Sequence, residues 1–253
     1  MIEILILSLV QGITEFLPVS SSSHLILISK FVNFGNQGLS IDVSLHIGSF
    51  IAVLTYFYKD IFNFFENRKL FIKIIISSIP VILIGYVLVR TNFIEELRNI
   101  KVIAWMTIVF GILLYISDRF KLKKEIKTNF DLKAALIIGF FQAISLIPGV
   151  SRSGITITAA RLLNFKRFDS AKISFLLSIP TLAAVSIYGL NNIFTQEDLD
   201  FSIINLFSIF VSFLFSFFTI KFFLGFIQKF NLNLIIYYRI ILGVVLLYFA
   251  YLQ

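Results

Sequence analysis

The chain has 253 residues, of which 58% are apolar and 31 are Phe, and its mean hydropathy is +0.94. A soluble fold of this length could not remove so much apolar surface from water, so a polytopic all-α membrane protein is expected. The net charge of +8 does not point to nucleic acid, because Lys and Arg sit mostly in short connectors between apolar runs; zero Cys and two His exclude a disulfide framework, a thiolate metal site and a multi-histidine zinc site.

In chain order, residues 1–32 form an apolar region broken at Pro18. Without a basic leader or a small-residue cleavage site, it reads as a mature element and not a signal peptide. Apolar runs follow at roughly 43–58, 71–90 and 102–117. A second broken region, 134–163, is interrupted at Pro148, and runs at roughly 173–190, 202–223 and 233–251 complete the chain. Each half of a broken region is only about ten to fifteen residues, too short for a bilayer that needs about twenty. Both regions therefore read as re-entrant hairpins, whose irregular backbone must face protein or a wet cavity.

Connector charges set the topology. The 118–133 connector carries Arg119, Lys121, Lys123, Lys124, Lys127 and Lys133 and is placed in the cytoplasm. The 191–201 connector carries Glu197, Asp198 and Asp200 and is placed outside. The 59–70 connector then falls inside, while Arg90, Arg98 and Lys101 of the 90–101 connector fall outside, partly offset by Glu95 and Glu96.

The chain thus reads as one integral membrane domain, 1–253, holding two copies of one plan: a re-entrant helical hairpin plus three transmembrane helices. Repeat 1 is about 1–117, the basic connector is 118–133, and repeat 2 is about 134–253. An odd number of crossings inverts the second copy. Pro18 to Ser44 and Pro148 to Ser174 have the same spacing, and Gln11 echoes Gln142 with a one-residue gap. Inverted repeats place their sites near the midplane, where broken helices meet, so the two tips are expected to face each other.

The tips carry the chemistry. The first reads Gln11-Gly-Ile-Thr-Glu15-Phe-Leu-Pro18-Val-Ser20-Ser21-Ser22-Ser23-His24, the second Pro148-Gly149-Val-Ser151-Arg152-Ser153-Gly154-Ile-Thr156. A serine after each proline is a natural N-cap, and the new helix start offers free N–H groups and a dipole that attract phosphate. Two facing starts could grip a diphosphate. Arg152 adds a planar fork for phosphate oxygens, and Gly149 and Gly154 permit close backbone approach. Gln11 and Glu15 share one helix face, Ser20 and Ser21 share a face with His24, and Arg152 shares one with Thr156. Hydroxyl, imidazole, carboxylate and guanidinium together are the equipment for phosphoryl transfer. Blander roles compete: helix packing for the Ser run, a helix-end role for Glu15, a Glu15–Arg152 structural ion pair, and a simple hydrogen bond for a lone His, the class given to His46. Asp42 and Asp169 read as helix caps. Phe-rich stripes such as Phe207–Phe223 read as lipid-facing or packing surface.

These motifs resemble the undecaprenyl-diphosphatase family, bacterial membrane enzymes linked to bacitracin resistance. The similarity runs through nearly the whole chain and is densest in Gln11–His24, Ser44–Val53, Pro148–Thr156 and Ser174–Pro180. It implies hydrolysis of undecaprenyl diphosphate to undecaprenyl phosphate and inorganic phosphate, which recycles the lipid carrier of wall polymers. It implies catalytic roles for Ser21, His24, Glu15 and Arg152 and substrate binding by Ser20, Gly149, Ser151, Ser153 and Thr156. It also implies a divalent cation, Mg²⁺ or Ca²⁺, near Glu15 and Gln11. The expected setting is the bacterial inner membrane, with the site open to the outer, periplasmic face, membrane lipids around it, and a homodimer compatible with the sequence. Departures are Gln11 at the first acidic position, Ser23 where Gly or Ala is common, and Lys172 where an acidic residue is expected. The residues leave open whether Ser21 attacks phosphorus or His24 activates water. The competing class is a polyprenyl-phosphate transporter or flippase using the same hairpins.

Overall fold

The structure, a computed structural model, describes residues 1–31, 38–66, 68–91, 93–120, 123–195 and 202–252. Glu197, Asp198 and Asp200 of the acidic connector, and Lys121 of the basic one, lie outside the described residues. The described chain is helical. Helices α1 (Ile2–Thr14) and α2 (Ser21–Phe31) form the first broken hairpin, and α9 (Leu132–Ile144) and α10 (Arg152–Leu162) the second. Six further helices are long and apolar enough to cross a membrane: α3 (Leu39–Tyr56), α5 (Arg68–Arg90), α7 (Ile100–Asp118), α11 (Arg167–Thr195), α12 (Ile203–Lys229) and α13 (Asn233–Leu252).

These spans match the six expected runs, but several begin earlier. Leu39–Asp42 and Arg167–Lys172 continue helices α3 and α11 beyond their apolar runs, because backbone hydrogen bonding does not stop where the side chains become polar. Three short helices fill connectors that hydropathy leaves blank: α4 (Tyr58–Glu66), α6 (Phe93–Leu97) and α8 (Ile126–Asn129). Pro80 and Pro180 sit inside α5 and α11, which membrane helices tolerate when neighbours satisfy the freed carbonyl.

Packing between the halves is reciprocal. Helix α1 packs on α12 and α9 packs on α5, so the entering half of each hairpin lies against a span of the other half. Equivalent spans also pair, α3 with α11 and α7 with α13. Small residues allow the approach: a Cβ on Gly139 of α9 would collide with the Ser77 carbonyl of α5. Ser49, Ser212 and Ser216 are fully buried between α3 and α12, with Ser49–Ser216 at 2.9 Å and Ser212 donating to the Leu45 carbonyl at 2.7 Å. Hydroxyls thus knit helices where the hydrophobic effect gives no preference over lipid.

The Phe-rich stripe of α12 divides by face. Phe210, Phe218 and Phe222 are exposed, Phe223 is buried, and Phe213 and Phe217 pack on the core. Asp169 does not cap its own helix. Its Oδ1 accepts the Ile126 backbone N–H at 3.1 Å, which holds the start of α8. Asp42 lies in the first turn of α3, whose N-cap is Gly38. Lys172 pairs with Asp60 at 2.6 Å, so the position where an acidic residue was expected carries the other half of an ion pair.

Candidate functional site

The two proline breaks end in the same backbone device. Ser20, the residue before α2, has φ 77°, and Ser151, the residue before α10, has φ 72°. Non-glycine residues seldom adopt this region, and each such residue costs about 1–3 kcal/mol. The two serines hold the same conformation at the equivalent point of each hairpin, one before each helix start. Ser151 Oγ accepts the Gly154 N–H at 3.1 Å, which caps α10. The other first-turn N–H groups of α2 and α10 have no intrahelical carbonyl to use. Gly149 has φ 98°, and a Cβ there would lie 2.5 Å from the Ile103 carbonyl, so the second tip requires glycine on both counts.

The tips touch. Ser153 Oγ donates to the Leu17 carbonyl at 2.8 Å, joining the second tip to the first. At the centre is Glu15, which ends α1. Its Oε2 accepts from Ser21 Oγ at 2.7 Å and from Gln11 Nε2 at 3.1 Å, and its Oε1 accepts from Arg152 Nη2 at 2.5 Å. One carboxylate therefore joins the serine of one hairpin to the arginine of the other. The Glu15 and Arg152 side chains are only 7% and 13% exposed, so this ion pair is shielded from water and the separation of its members is costly.

The pair leaves atoms over. Arg152 Nη1 and Gln11 Oε1 are buried with no partner among the described residues. One is a cationic donor and one a hard oxygen acceptor, and they flank the same carboxylate. Buried polar atoms without partners are uncommon enough to need an occupant. An anion suits the first and a cation the second.

His24 is held elsewhere than expected. Its Nδ1 bonds the Ser20 carbonyl at 2.6 Å, so Nδ1 carries the proton. Its Nε2 lies 2.6 Å from the Tyr238 hydroxyl, which donates to it, and the two rings stack at 5.9 Å. Neither nitrogen faces Ser21 Oγ, whose proton is directed at Glu15. Among the other expected residues, Ser20 Oγ bonds Ser23 Oγ at 2.8 Å, so Ser23 fits the turn as a hydrogen-bond partner. Ser151 Oγ lies 3.3 Å from Ser153 Oγ. Thr156 is fully buried with its hydroxyl on the Arg152 carbonyl and on Ser174 of α11 at 2.7 Å. The structure therefore brings Gln11, Glu15, Ser21 and Arg152 together and sets Thr156 behind them, in the α10–α11 packing. His46 is hydrogen-bonded as expected, Nδ1 to the Asp42 carbonyl at 2.7 Å.

Two neighbours were missed by sequence reasoning, and both come from α13. Tyr238 fixes His24. Arg239 is 0% exposed and has no carboxylate partner among the described residues. Its guanidinium donates to the carbonyls of Pro18 at 3.1 Å, Gly149 at 2.9 Å, Val150 at 3.0 Å and Thr107 at 3.3 Å. A single buried cation thus ties both tips together through their backbones. Its signal was present in the sequence: a lone Arg inside the otherwise uncharged run 233–251.

No group of three or more His, Asp or Glu that could hold a metal exists among the described residues. Gln11 Oε1 and the Glu15 carboxylate nevertheless fit a hard cation that takes its remaining ligands from substrate phosphates and water, the usual mode of Mg²⁺.

Fold and site together define an all-α polytopic membrane protein with a buried, phosphate-suited site between two broken hairpins. The chain matches the model of the bacitracin resistance protein BacA family over residues 4–245, and it belongs to that family. It is 50% identical over 99% of its length to an undecaprenyl-diphosphatase of Pelagibacter ubique, of which it covers 98%. It is 42% identical to undecaprenyl-diphosphatases of Saccharophagus degradans, covering 94% of this chain and 93% of the relative, and of Hahella chejuensis, covering 99% and 98%.

Proposed function

We propose that this protein hydrolyses undecaprenyl diphosphate to undecaprenyl phosphate and inorganic phosphate, recycling the lipid carrier for wall polymers and so conferring bacitracin resistance. The relatives named for this activity cover nearly the whole chain. The observation that carries the site assignment is the Glu15 carboxylate, shared by Ser21 of one hairpin and Arg152 of the other.

In this reading the diphosphate enters between the two helix starts and draws Arg152 onto its oxygens, using Nη1 first. Ser21 Oγ attacks the terminal phosphorus in line, and its proton passes to Glu15 Oε2, the atom it already bonds. The bond from phosphorus to the bridging oxygen breaks, and undecaprenyl phosphate leaves with that oxygen. Water then attacks the phosphoserine, Glu15 Oε2 returns its proton to the departing Ser21 Oγ, and the water proton stays on the released inorganic phosphate. His24, its Nδ1–H fixed on the Ser20 carbonyl and its Nε2 on the Tyr238 hydroxyl, steadies the first turn of α2 that carries Ser21. Both helix starts and Arg152 supply the charge stabilisation that grows towards the transition state. A divalent cation, Mg²⁺ or Ca²⁺, held by Glu15 and Gln11, would neutralise the diphosphate when bound.

Inverted orientation of the two halves, residence in the bacterial inner membrane and opening of the site to the outer face belong to the same proposal. They are supported by the reciprocal hairpin packing and by the basic 118–133 connector. No observation favours the carrier over the hydrolase. Detergent-solubilised protein is expected to release phosphate from a prenyl diphosphate with no membrane gradient present, and to stop on chelation. Absence of phosphate release from folded protein supplied with Mg²⁺ or Ca²⁺ would refute the proposal.

A further inference from the structure

Helix α10 carries an arginine at each end. Arg152 begins it at the candidate site, and Arg161, nine residues on, lies about 13.5 Å further along the axis. Around Arg161 is a separate cavity of ≈ 650 Å³. Its cationic lining is Arg119, Arg161, Lys166 and Arg167, against one lining carboxylate, Asp118. Part of this charge is structural. Arg161, 3% exposed, holds the carbonyls of Asp118, Phe120 and Phe165 and pairs with Asp118 at 3.3 Å. Arg167 also pairs with Asp118, at 2.7 Å, and Asp118 Oδ2 accepts the Leu232 N–H. Lys166 is paired with Glu125, whose carboxyl it holds below the ordinary carboxylate range by hydrogen bond and charge, and Asp169 also acts on it.

Two features remain unaccounted for. Among the described residues, Arg119 meets only neutral groups, the hydroxyl and ring of Tyr115, and Arg161 Nε is buried with no partner. The Asp118 carboxylate is divided between two guanidiniums, so the cavity keeps an excess of positive charge. The rest of its wall is Gln228 and three apolar side chains, Phe120, Phe168 and Ile227. It sits at the end of the spans where the basic connector begins, the level at which lipid headgroups lie.

We propose that this cavity docks the headgroup of an anionic membrane phospholipid. The phosphodiester lies against Arg119 and Arg167, and the first part of the acyl region follows Phe120, Phe168 and Ile227. The apolar wall is what selects a lipid, since free phosphate would have no use for it. The site is distinct from the candidate hydrolytic centre and its occupant is not the substrate.

Native mass spectrometry of the detergent-purified full chain tests this with phosphatidylglycerol, phosphatidylcholine and inorganic phosphate as probes. One phosphatidylglycerol is expected to be retained about twenty-five-fold more strongly than phosphatidylcholine, because each of the two arginines at the headgroup contributes about 1 kcal/mol, or about fivefold. Arg119→Gln is expected to lower phosphatidylglycerol retention about fivefold, with Arg119→Lys restoring it. Among the described residues the Arg119 side chain meets only Tyr115, so both variants keep the fold. Equal retention of the two lipids, or unchanged phosphatidylglycerol retention in Arg119→Gln, overturns the proposal. Displacement of phosphatidylglycerol by inorganic phosphate also overturns it, by showing that the cavity reads the bare anion.

Discussion

Replacing Arg239 with Met separates two things the guanidinium does. Arg239 donates four hydrogen bonds to carbonyls, three of them at the hairpin tips, from a fully buried position. A bond from a charged donor contributes about 1.5–3 kcal/mol, while burial of a cation without a carboxylate costs several kcal/mol. These terms largely cancel in the stability of the whole fold, so Arg239→Met is expected to cost about 1–3 kcal/mol and leave the helices intact. At the site nothing offsets the loss. Pro18, Gly149 and Val150 lose their common donor, and the strained backbone at Ser20 and Ser151 is free to relax. A shift of about 1 Å between Ser21 and Arg152 is enough to cost about 100-fold in kcat. Steady-state hydrolysis of a prenyl diphosphate, with thermal unfolding of the same preparation, measures both effects. Arg239→Lys keeps the charge but has one nitrogen for four carbonyls, and it should be nearly as slow as the Met variant. A folded Arg239→Met with kcat within about threefold of wild type would refute the reasoning.

The other predictions concern the atoms around Glu15. Ser21→Ala should abolish the trapped phosphoenzyme and reduce kcat by at least about 1,000-fold, a loss typical of an essential group; quenched-flow with a radiolabelled diphosphate reads it, and full activity would pass the attack to water. Arg152→Ala should lose about 100–1,000-fold in kcat/KM, with inhibition by inorganic phosphate weakened in parallel, and unaltered phosphate inhibition would remove Arg152 from the anion. Gln11→Glu should lower the half-saturating Mg²⁺ concentration by about tenfold, because a carboxylate replaces a neutral amide beside Glu15; an unchanged cation titration would place the ion elsewhere. Tyr238→Phe leaves His24 Nε2 without its donor, so the pH profile of kcat should move while unfolding temperature does not, and a superimposable profile would make the contact incidental.

Much of this protein is local information. Proline stops a helix wherever it lacks a neighbour to compensate, and serine after proline caps the next one, so the two hairpins and the chemistry at their tips are written in Gln11–His24 and Pro148–Thr156. Hydropathy gives the six spans for the same reason: each must be apolar along its own length. Residues four apart on a helix share a face, which put Gln11 beside Glu15 in advance. Helix ends and the short helices α4, α6 and α8 were not legible, because their side-chain patterns change with no change in backbone bonding.

What only the tertiary structure decided is which groups meet across the sequence. Glu15 and Arg152 are 137 residues apart, and only packing of one hairpin on the other made the ion pair, until then one of several readings of these residues, and set the Ser21 hydroxyl on the same carboxylate. The same packing turned Thr156 towards Ser174, gave His24 to Tyr238, and made Arg239 the clamp between tips more than one hundred residues apart in sequence. The physical reason is that a buried polar atom must find a partner wherever the fold supplies one, and in a membrane that partner comes from whichever helix lies opposite, a fact no local pattern records.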